Sequence, residues 1–124
     1  MSTAQKTTVI WAEIPVTDLT RSAAFYAEVF GWQMEVTEMA GEKIAAFGRG
    51  GIGGNLVEGP AGLGGGNVVH LLVPDTVEAA QARAEAAGAM AEGPVATIPP
   101  GRYVVVRDPD GNRIGLFEPA ARAA

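Results

Sequence analysis

Alternating apolar and polar residues predict short β-strands at Val9 to Val16 and at Val68 to Val73. Each strand is followed by apolar residues at helical spacing. The first helix is predicted to begin after Asp18 and to end at Gly31, because aspartate accepts hydrogen bonds from free N–H groups and glycine tolerates a left-handed backbone. One face of this helix is predicted to be apolar and carries Leu19, Ala23, Tyr26, Ala27 and Phe30.

The second strand and helix repeat the first at a constant distance along the chain. Val16 and Val73, Asp18 and Asp75, and Gly31 and Gly88 are each 57 residues apart. This spacing predicts a second helix from Val77 to Ala87, with Asp75 as its N-cap and Glu78 completing a capping box. A duplicated unit is the simplest explanation of the repeat.

Three apolar runs separated by turn residues follow each helix. In the first copy these runs are Trp32 to Met39, Lys43 to Gly48 and Ile52 to Glu58. In the second copy they are Met90 to Ile98, broken at Gly93-Pro94, then Arg102 to Arg107 and Arg113 to Glu118. The pattern predicts a single α+β domain over residues 1–124, made of two βαβββ modules at about 8–58 and 67–119 with a Gly-rich joint at 59–66.

Composition and net charge then limit which kinds of partner and which chemistry are expected for this protein. The net charge is −5 and the nine Lys and Arg residues are scattered, so no basic stripe is present to neutralise phosphates and we expect no nucleic-acid partner. No apolar run is long enough to span a membrane and no secretory signal is evident, so the expected location is the cytoplasm. The chain has no cysteine and one histidine, which excludes disulfides and thiol nucleophiles and argues against a His-rich metal site.

Several local motifs resemble one known family. They are Asp18 with Arg21, Phe25-Tyr26, Phe30-Gly31-Trp32, and the late turn Asp108-Pro-Asp-Gly-Asn112. Together with the repeat, they resemble the vicinal oxygen chelate superfamily over about Val9 to Pro119. That superfamily contains glyoxalase I, bleomycin-resistance proteins and extradiol dioxygenases. The resemblance implies that the paired modules form one curled, cleft-bearing mixed sheet with the helices outside.

The resemblance also implies where a divalent metal would be bound in the family's enzymes, namely on the first and last strands of each module. Those positions fall on Trp11, Val68, Gly115, and either Gly53 or Asn55. Such a set lacks the carboxylate and imidazole ligands that divalent ions require. We therefore expect no metal and no other cofactor.

Strand alternation places Glu13 and His70 on equivalent inward faces, away from the helices. A carboxylate beside the only histidine is a candidate acid–base pair, which would be catalytic and would titrate near neutrality. The alternative is a buried polar pair that fixes the junction of the modules.

Further residues are candidates for ligand binding. Trp11 either offers a stacking surface or fills the core, and Tyr103 offers a phenol. Arg113 is either a partner for an acidic ligand or an exposed residue at a strand end. Ligand-binding candidates are also expected at the former metal positions Asn55, Val68 and Gly115. Phe25 and Tyr26 are expected to pack between helix and sheet.

Three functions remain open. The leading hypothesis is metal-independent binding of a small apolar or aromatic molecule in the sheet cleft. The first alternative is a metal-free lyase or isomerase that uses Glu13 and His70 as its acid–base pair. The second is a metal-dependent glyoxalase or dioxygenase-type enzyme, completed across a subunit interface. A homodimer is expected because members of the family often build their clefts between subunits.

Overall fold

The computed structural model describes residues 8–39, 41–48, 52–59 and 66–120. Residues 60–65 of the predicted Gly-rich joint, and Ala40 of the predicted hairpin turn, lie outside this part of the chain. The fold divides into two compact units, Trp11–Val68 and Met1–Ile10 with Val69–Ala124, which we call the module-one unit and the module-two unit.

The module-one unit contains a mixed sheet with one helix on one face. Its elements are β1 (Val9–Val16, from Trp11 onward), α1 (Leu19–Phe30), β2 (Val36–Met39), β3 (Glu42–Phe47) and β4 (Gly53–Glu58). The strand order is β2-β3-β4-β1, in which β1 runs parallel to β4 and the other pairs are antiparallel. The parallel pair arises because the chain crosses over through α1 and the β2–β3 hairpin before it returns as β4.

Both ends of α1 follow the sequence prediction. The Asp18 carboxylate accepts a hydrogen bond from the backbone N–H of Arg21 at 3.0 Å. Gly31 ends the helix with φ 73°, and its N–H donates to the carbonyl of Ala27 at 2.8 Å. The helix packs on β1, β3 and β4 through a small core made of Val16, Leu19, Ala23, Ala45 and Leu56.

One side chain of α1 does not lie where the sequence analysis expected it. Tyr26 packs against the core, as predicted, but the Phe25 side chain is 58% exposed. Phe25 is one position away from the inward stripe, so the helical turn rotates it to the flank. The expectation that Phe25 packs between helix and sheet is wrong.

The module-two unit repeats this architecture with a longer antiparallel part. Its elements are β5 (Val68–Leu72), α2 (Val77–Ala86), β6 (Met90–Ala91), β7 (Ala96–Ile98), β8 (Gly101–Arg107) and β9 (Arg113–Pro119). The strand order is β5-β9-β8-β6, with β7 also paired to β8 and β5 parallel to β9. The break at Gly93-Pro94 divides the predicted Met90 to Ile98 run into β6 and β7.

The start of α2 corrects the sequence prediction. Thr76 is the N-cap, because its hydroxyl accepts from the N–H of Ala79 at 3.1 Å. Asp75 lies one residue earlier and forms an ion pair with Arg83 at 2.8 Å instead. The prediction of Asp75 as the cap was therefore wrong by one position.

The second core lies between α2 and the sheet of its own unit. Its buried members are Val73, Val77, Ala80, Val104, Val106 and Leu116. The predicted α+β class and the duplicated strand–helix–strand modules are confirmed. No helix among the described residues is long and apolar enough to cross a membrane.

Candidate functional site

In each unit the helix covers one face of the sheet, and the predicted site residues lie on the opposite, helix-free face. In module one, β1 and β4 align so that Trp11 lies opposite Gly53 and Glu13 lies opposite Asn55. Paired residues in a sheet point to the same side, so the side chains of Trp11, Glu13 and Asn55 share the helix-free face. Alternation along β1 predicted this face for Trp11 and Glu13, whereas the face of Asn55 follows from its pairing with Glu13.

Trp11 and Asn55 are joined directly. The indole Nε1–H of Trp11 donates a hydrogen bond to Oδ1 of Asn55 at 2.6 Å. The Asn55 amide also donates to the carbonyl of Leu56 at 3.3 Å, and the Asn55 residue is only 1% exposed. The amide is therefore committed to this local network, which fixes the orientation of the indole ring.

Register resolves which residue of module one corresponds to Gly115. Glu13 pairs with Asn55, whereas its repeat mate His70 pairs with Gly115. Asn55 and not Gly53 is therefore the structural equivalent of Gly115. The offset grows from 57 residues in the first strand to 60 in the last, so three extra residues lie between these strands in module two.

His70 is the most confined polar side chain of the module-two unit. It is 3% exposed, and Nδ1 has no hydrogen-bond partner among the described residues. The ring lies directly over Gly115, since a Cβ built at position 115 would fall within 1.9 Å of Nδ1. Gly115 thus supplies the space that the imidazole occupies.

Burial changes the chemistry of this imidazole. Loss of hydration lowers the pKa of His70 from 6.5 to about 4, because burial disfavours the protonated, charged imidazole. His70 is therefore neutral at pH 7. The expectation that it titrates near neutrality is not supported, and proton donation by an imidazolium is disfavoured at that pH.

Two aromatic rings meet His70 edge to face. The centroid of the Tyr103 ring lies 5.0 Å from that of His70, and the Phe117 ring lies at 6.4 Å, with interplanar angles of 88° and 85°. Tyr103 and Phe117 are paired across β8 and β9. The sequence analysis did not name Phe117 as a site residue, although its alternation with Arg113 and Gly115 was a usable signal.

Arg113 shares this strand but has a protein partner. Its Nε donates to a carboxylate oxygen of Glu92 at 3.1 Å, and Arg107 pairs with the other oxygen of the same carboxylate. Arg113 and Arg107 are themselves cross-strand neighbours. The guanidinium predicted to meet an acidic ligand is thus held in an Arg–Glu–Arg cluster.

The residues at the inherited metal positions do not suit a divalent ion. Trp11 and Val68 supply no ligand oxygen or imidazole, Gly115 has no side chain, and Oδ1 of Asn55 is taken by the indole N–H. Within the described ranges, no group of three or more His, Cys, Asp or Glu residues could hold a metal ion. The family's metal chemistry therefore has no matching donor set at these positions.

A separate depression lies in the module-one unit. Its volume is about 570 Å³, and it is lined by Gly31, Trp32, Gln33, Glu35, Ala46, Phe47 and Gly48. None of the predicted site residues contributes to it. Sequence reasoning missed it because its walls come from a helix end and a strand end that are distant in the chain.

Solved structures of other proteins have a similar fold. A methylmalonyl-CoA epimerase structure from Mycobacterium tuberculosis has a TM-score of 0.65 at 18% identity, covering 98% of this chain and 94% of the other. The structure of a glyoxalase/bleomycin resistance protein/dioxygenase superfamily member from Vibrio splendidus 12B01 has a TM-score of 0.61 at 20% identity. The match covers 90% of this chain and 99% of the other. The structure of an Mn(II)-bound glyoxalase from Novosphingobium aromaticivorans has a TM-score of 0.60 at 26% identity. The match covers 95% of this chain but 42% of the other.

The first two likenesses concern the fold alone. A comparison with curated proteins gave no significant match. A sequence model of the Glyoxalase/Bleomycin resistance protein/Dioxygenase superfamily matches residues 8–116, nearly the whole chain. The chain belongs to this superfamily.

Proposed function

We propose that this protein binds a small apolar or aromatic molecule without a metal, on the helix-free side of its sheets. The observation that carries the proposal is the aromatic cluster of His70, Tyr103 and Phe117 on that side of module two. Aromatic side chains with a few polar groups are the usual lining of small-molecule sites. Tyr103 is the half-buried member of the cluster, so a ligand ring can pack against it, while His70 and Phe117 hold its ring in place.

The electrostatics of the cluster favour a neutral ligand. His70 carries no charge at pH 7, and burial penalises any charge placed beside it. Arg113 and Arg107, which by strand register lie on this face, share the carboxylate of Glu92. The expected ligand is therefore planar and largely apolar, with at most a few neutral polar groups.

Metal independence rests on the donor set at the inherited positions. The Mn(II)-bound glyoxalase shares 26% identity with this chain, which keeps a metal-dependent activity as the competing hypothesis. Against it stand Gly115, which lies beneath an imidazole, and Asn55, whose side-chain oxygen accepts from Trp11. A binding role requires neither position to hold an ion.

The acid–base alternative uses Glu13 and His70. Glu13 lies in the module-one unit and His70 in the module-two unit. A histidine with a pKa of about 4 is a weak base and is not protonated at pH 7, which makes it a poor general acid. Binding is for this reason the better-supported function.

The test is a titration with 2-naphthol, a planar neutral probe with one hydroxyl group, followed by calorimetry in the presence and absence of excess EDTA. We expect saturable binding that EDTA does not change. Phe117→Leu and Tyr103→Leu remove one edge-to-face partner each, so affinity should fall about threefold to tenfold. Gln33→Ala, in the separate depression, is the matched control and should bind as the wild type does.

Two results would contradict the proposal. Binding that is abolished by EDTA and restored by Mn²⁺ would support the metal-dependent alternative. Deuterium exchange at the carbon beside the carbonyl of a simple thioester in heavy water, lost in His70→Gln, would support the acid–base alternative.

Native mass spectrometry of protein purified without chelator would report a co-purified molecule or metal directly.

A further inference from the structure

The depression in the module-one unit has features that the proposed function does not use. Its volume of about 570 Å³ lies within the range of roughly 300–1,000 Å³ that is usual for small-molecule sites. Its walls combine the end of a strand, aromatic rings and a carboxylate. None of its lining residues belongs to the aromatic cluster of module two, so a ligand in the depression would occupy a second, separate site.

The end of β3 offers backbone groups to this depression. Val36 pairs with Ala45, so Ala46 and Phe47 continue beyond the last pair with β2, while their other edge stays paired with β4. Successive residues of a strand direct their N–H and C=O groups to opposite edges, so one of these two residues directs both groups into the space beyond β2. The described residues show no backbone hydrogen bond across this space. An extended peptide can therefore pair with β3 there.

A preformed aromatic wall lines one side of the depression. Trp32 stacks on Phe47 at 5.0 Å and on Phe30 at 4.5 Å, with interplanar angles of 15° and 18°. These contacts hold the indole in place before a ligand arrives, which reduces the entropy lost on binding. The indole is not fully covered, since Trp32 is 38% exposed. The methylene stem of a long cationic side chain can pack against such a surface.

Glu35 gives the depression its charge. Met34 packs on the core of module one, whereas the flanking Gln33 and Glu35 are exposed and line the depression. Within the described ranges the Glu35 carboxylate forms no ion pair. The sequence of Trp11–Val68 contains seven acidic and three basic residues, so the whole unit attracts cations. A guanidinium is the cation that best fits a carboxylate, because it donates two parallel hydrogen bonds.

We propose that the depression binds an arginine residue within an extended segment of another protein. The peptide groups on either side of this arginine pair with the open end of β3. Its guanidinium donates to the carboxylate of Glu35, and its methylene stem packs against Trp32. Charge complementarity identifies this occupant, because a neutral peptide would leave Glu35 without a partner and an acidic peptide would be repelled. The site shares no residue with the proposed ligand site of module two.

The test is an NMR titration of isotope-labelled protein with N-acetylarginine N-methylamide, which carries a guanidinium and a peptide group on each side. We expect saturable shifts of the Ala46 and Phe47 amide signals and no shift of the Gly115 amide. The citrulline analogue has the same shape without the charge and should bind about tenfold more weakly. N-acetylarginine methyl ester lacks one backbone donor, and free arginine lacks both peptide groups, so each should bind about threefold to tenfold more weakly than the amide.

Protein variants identify the group that recognises the charge. E35Q should lower the affinity for the arginine amide about tenfold and leave the affinity for the citrulline analogue unchanged, so that the two probes bind alike. E38Q is the matched control, because it removes the same charge from β2 outside the depression, and it should change the affinity by less than about twofold. An absence of saturable shifts, an arginine preference that persists in E35Q, or an ester or free arginine that binds as tightly as the amide would each overturn the proposal.

Discussion

His70 combines near-complete burial with an imidazole nitrogen, Nδ1, that has no hydrogen-bond partner among the described residues. A buried polar atom without a partner costs stability, and a protonated ring would cost more. The side chain is therefore best regarded as a neutral heterocycle packed among Tyr103, Phe117 and Gly115. The loss of stability caused by its burial becomes measurable once the pH is low enough to favour the protonated imidazole.

Acidification should destabilise the protein through His70. The pKa of this imidazole is about 4 in the fold and near 6.5 when unfolded, so between these values the unfolded chain binds the extra proton. The stabilisation is complete above pH 6.5 and is lost as the pH falls towards 4, by at most about 3 kcal/mol. Urea unfolding of wild type and His70→Gln across this range measures the difference, which cancels the titration of other groups. Equal slopes in the two proteins would contradict the assignment.

Gly115→Ala should be strongly destabilising. The added methyl group would meet the His70 ring at 1.9 Å, and overpacking of this kind costs about 1–3 kcal/mol or more. The same substitution in a His70→Ala background should cost much less, because the ring is gone. Gly59→Ala is the matched control, since a Cβ there meets nothing within 4 Å. Denaturant midpoints of the four-member cycle give the coupling, and additive effects would show that the two positions do not share a volume.

At the scale of elements, each helix is anchored by a glutamate that arrives from the last strand of its module. The Glu58 carboxylate accepts from the N–H of Leu19 at 3.0 Å, and the Glu118 carboxylate accepts from the N–H of Val77 at 2.9 Å. An anion at a helix N-terminus also interacts favourably with the helix dipole. Neither contact follows from local sequence patterns, because strand and helix are some forty residues apart in the chain.

Thr76→Ala tests the corrected start of α2. Loss of the hydroxyl leaves the N–H of Ala79 without its acceptor, so the free energy of unfolding should fall by about 1 kcal/mol. Asp75→Ala removes an exposed ion pair with Arg83, which contributes little at the surface, and should have the smaller effect. Thermal unfolding of the two variants gives the ranking. The opposite order would restore Asp75 as the cap.

Local signals predicted both ends of α1. Asp18 and Gly31 bound this helix, although Thr17 beside Asp18 is also a capping residue type. At α2 two capping residue types, Asp75 and Thr76, are adjacent, and only the tertiary position of Arg83 shows which side chain is drawn away. Likewise, helical spacing placed Tyr26 inward, whereas the width of the inward stripe at Phe25 depends on the sheet beneath it.

At the scale of the whole molecule, the 57-residue repeat predicted the elements of both modules but not the pairing register of their strands. The offset of 57 residues is lost before the last strand, which left both Gly53 and Asn55 as candidates for one position. The pairing of Glu13 with Asn55 and of His70 with Gly115 decides between them. Faces of strands follow from alternation, whereas register depends on backbone hydrogen bonds between distant strands. The edge-to-face contacts of His70 were beyond sequence reasoning for the same reason.

The protein should not be stabilised by divalent metals. A ligand that binds the native state raises the melting temperature, and the residues at the inherited positions supply no ligand set for zinc, nickel, iron or manganese. We expect unchanged melting curves at saturating concentrations of each ion, and no stoichiometric metal in elemental analysis of chelator-free preparations. One equivalent of tightly held metal per chain would contradict this prediction and return the metal-dependent hypothesis.

The shared volume of His70 and Gly115 also constrains how such a chain can evolve. Any side chain at position 115 collides with the imidazole, so a mutation there is harmful for as long as the histidine is present. A carboxylate side chain could be accommodated at position 115 only after a smaller residue had replaced His70. The order of the two mutations is therefore fixed, and the histidine blocks a single-step gain of a metal ligand at this position.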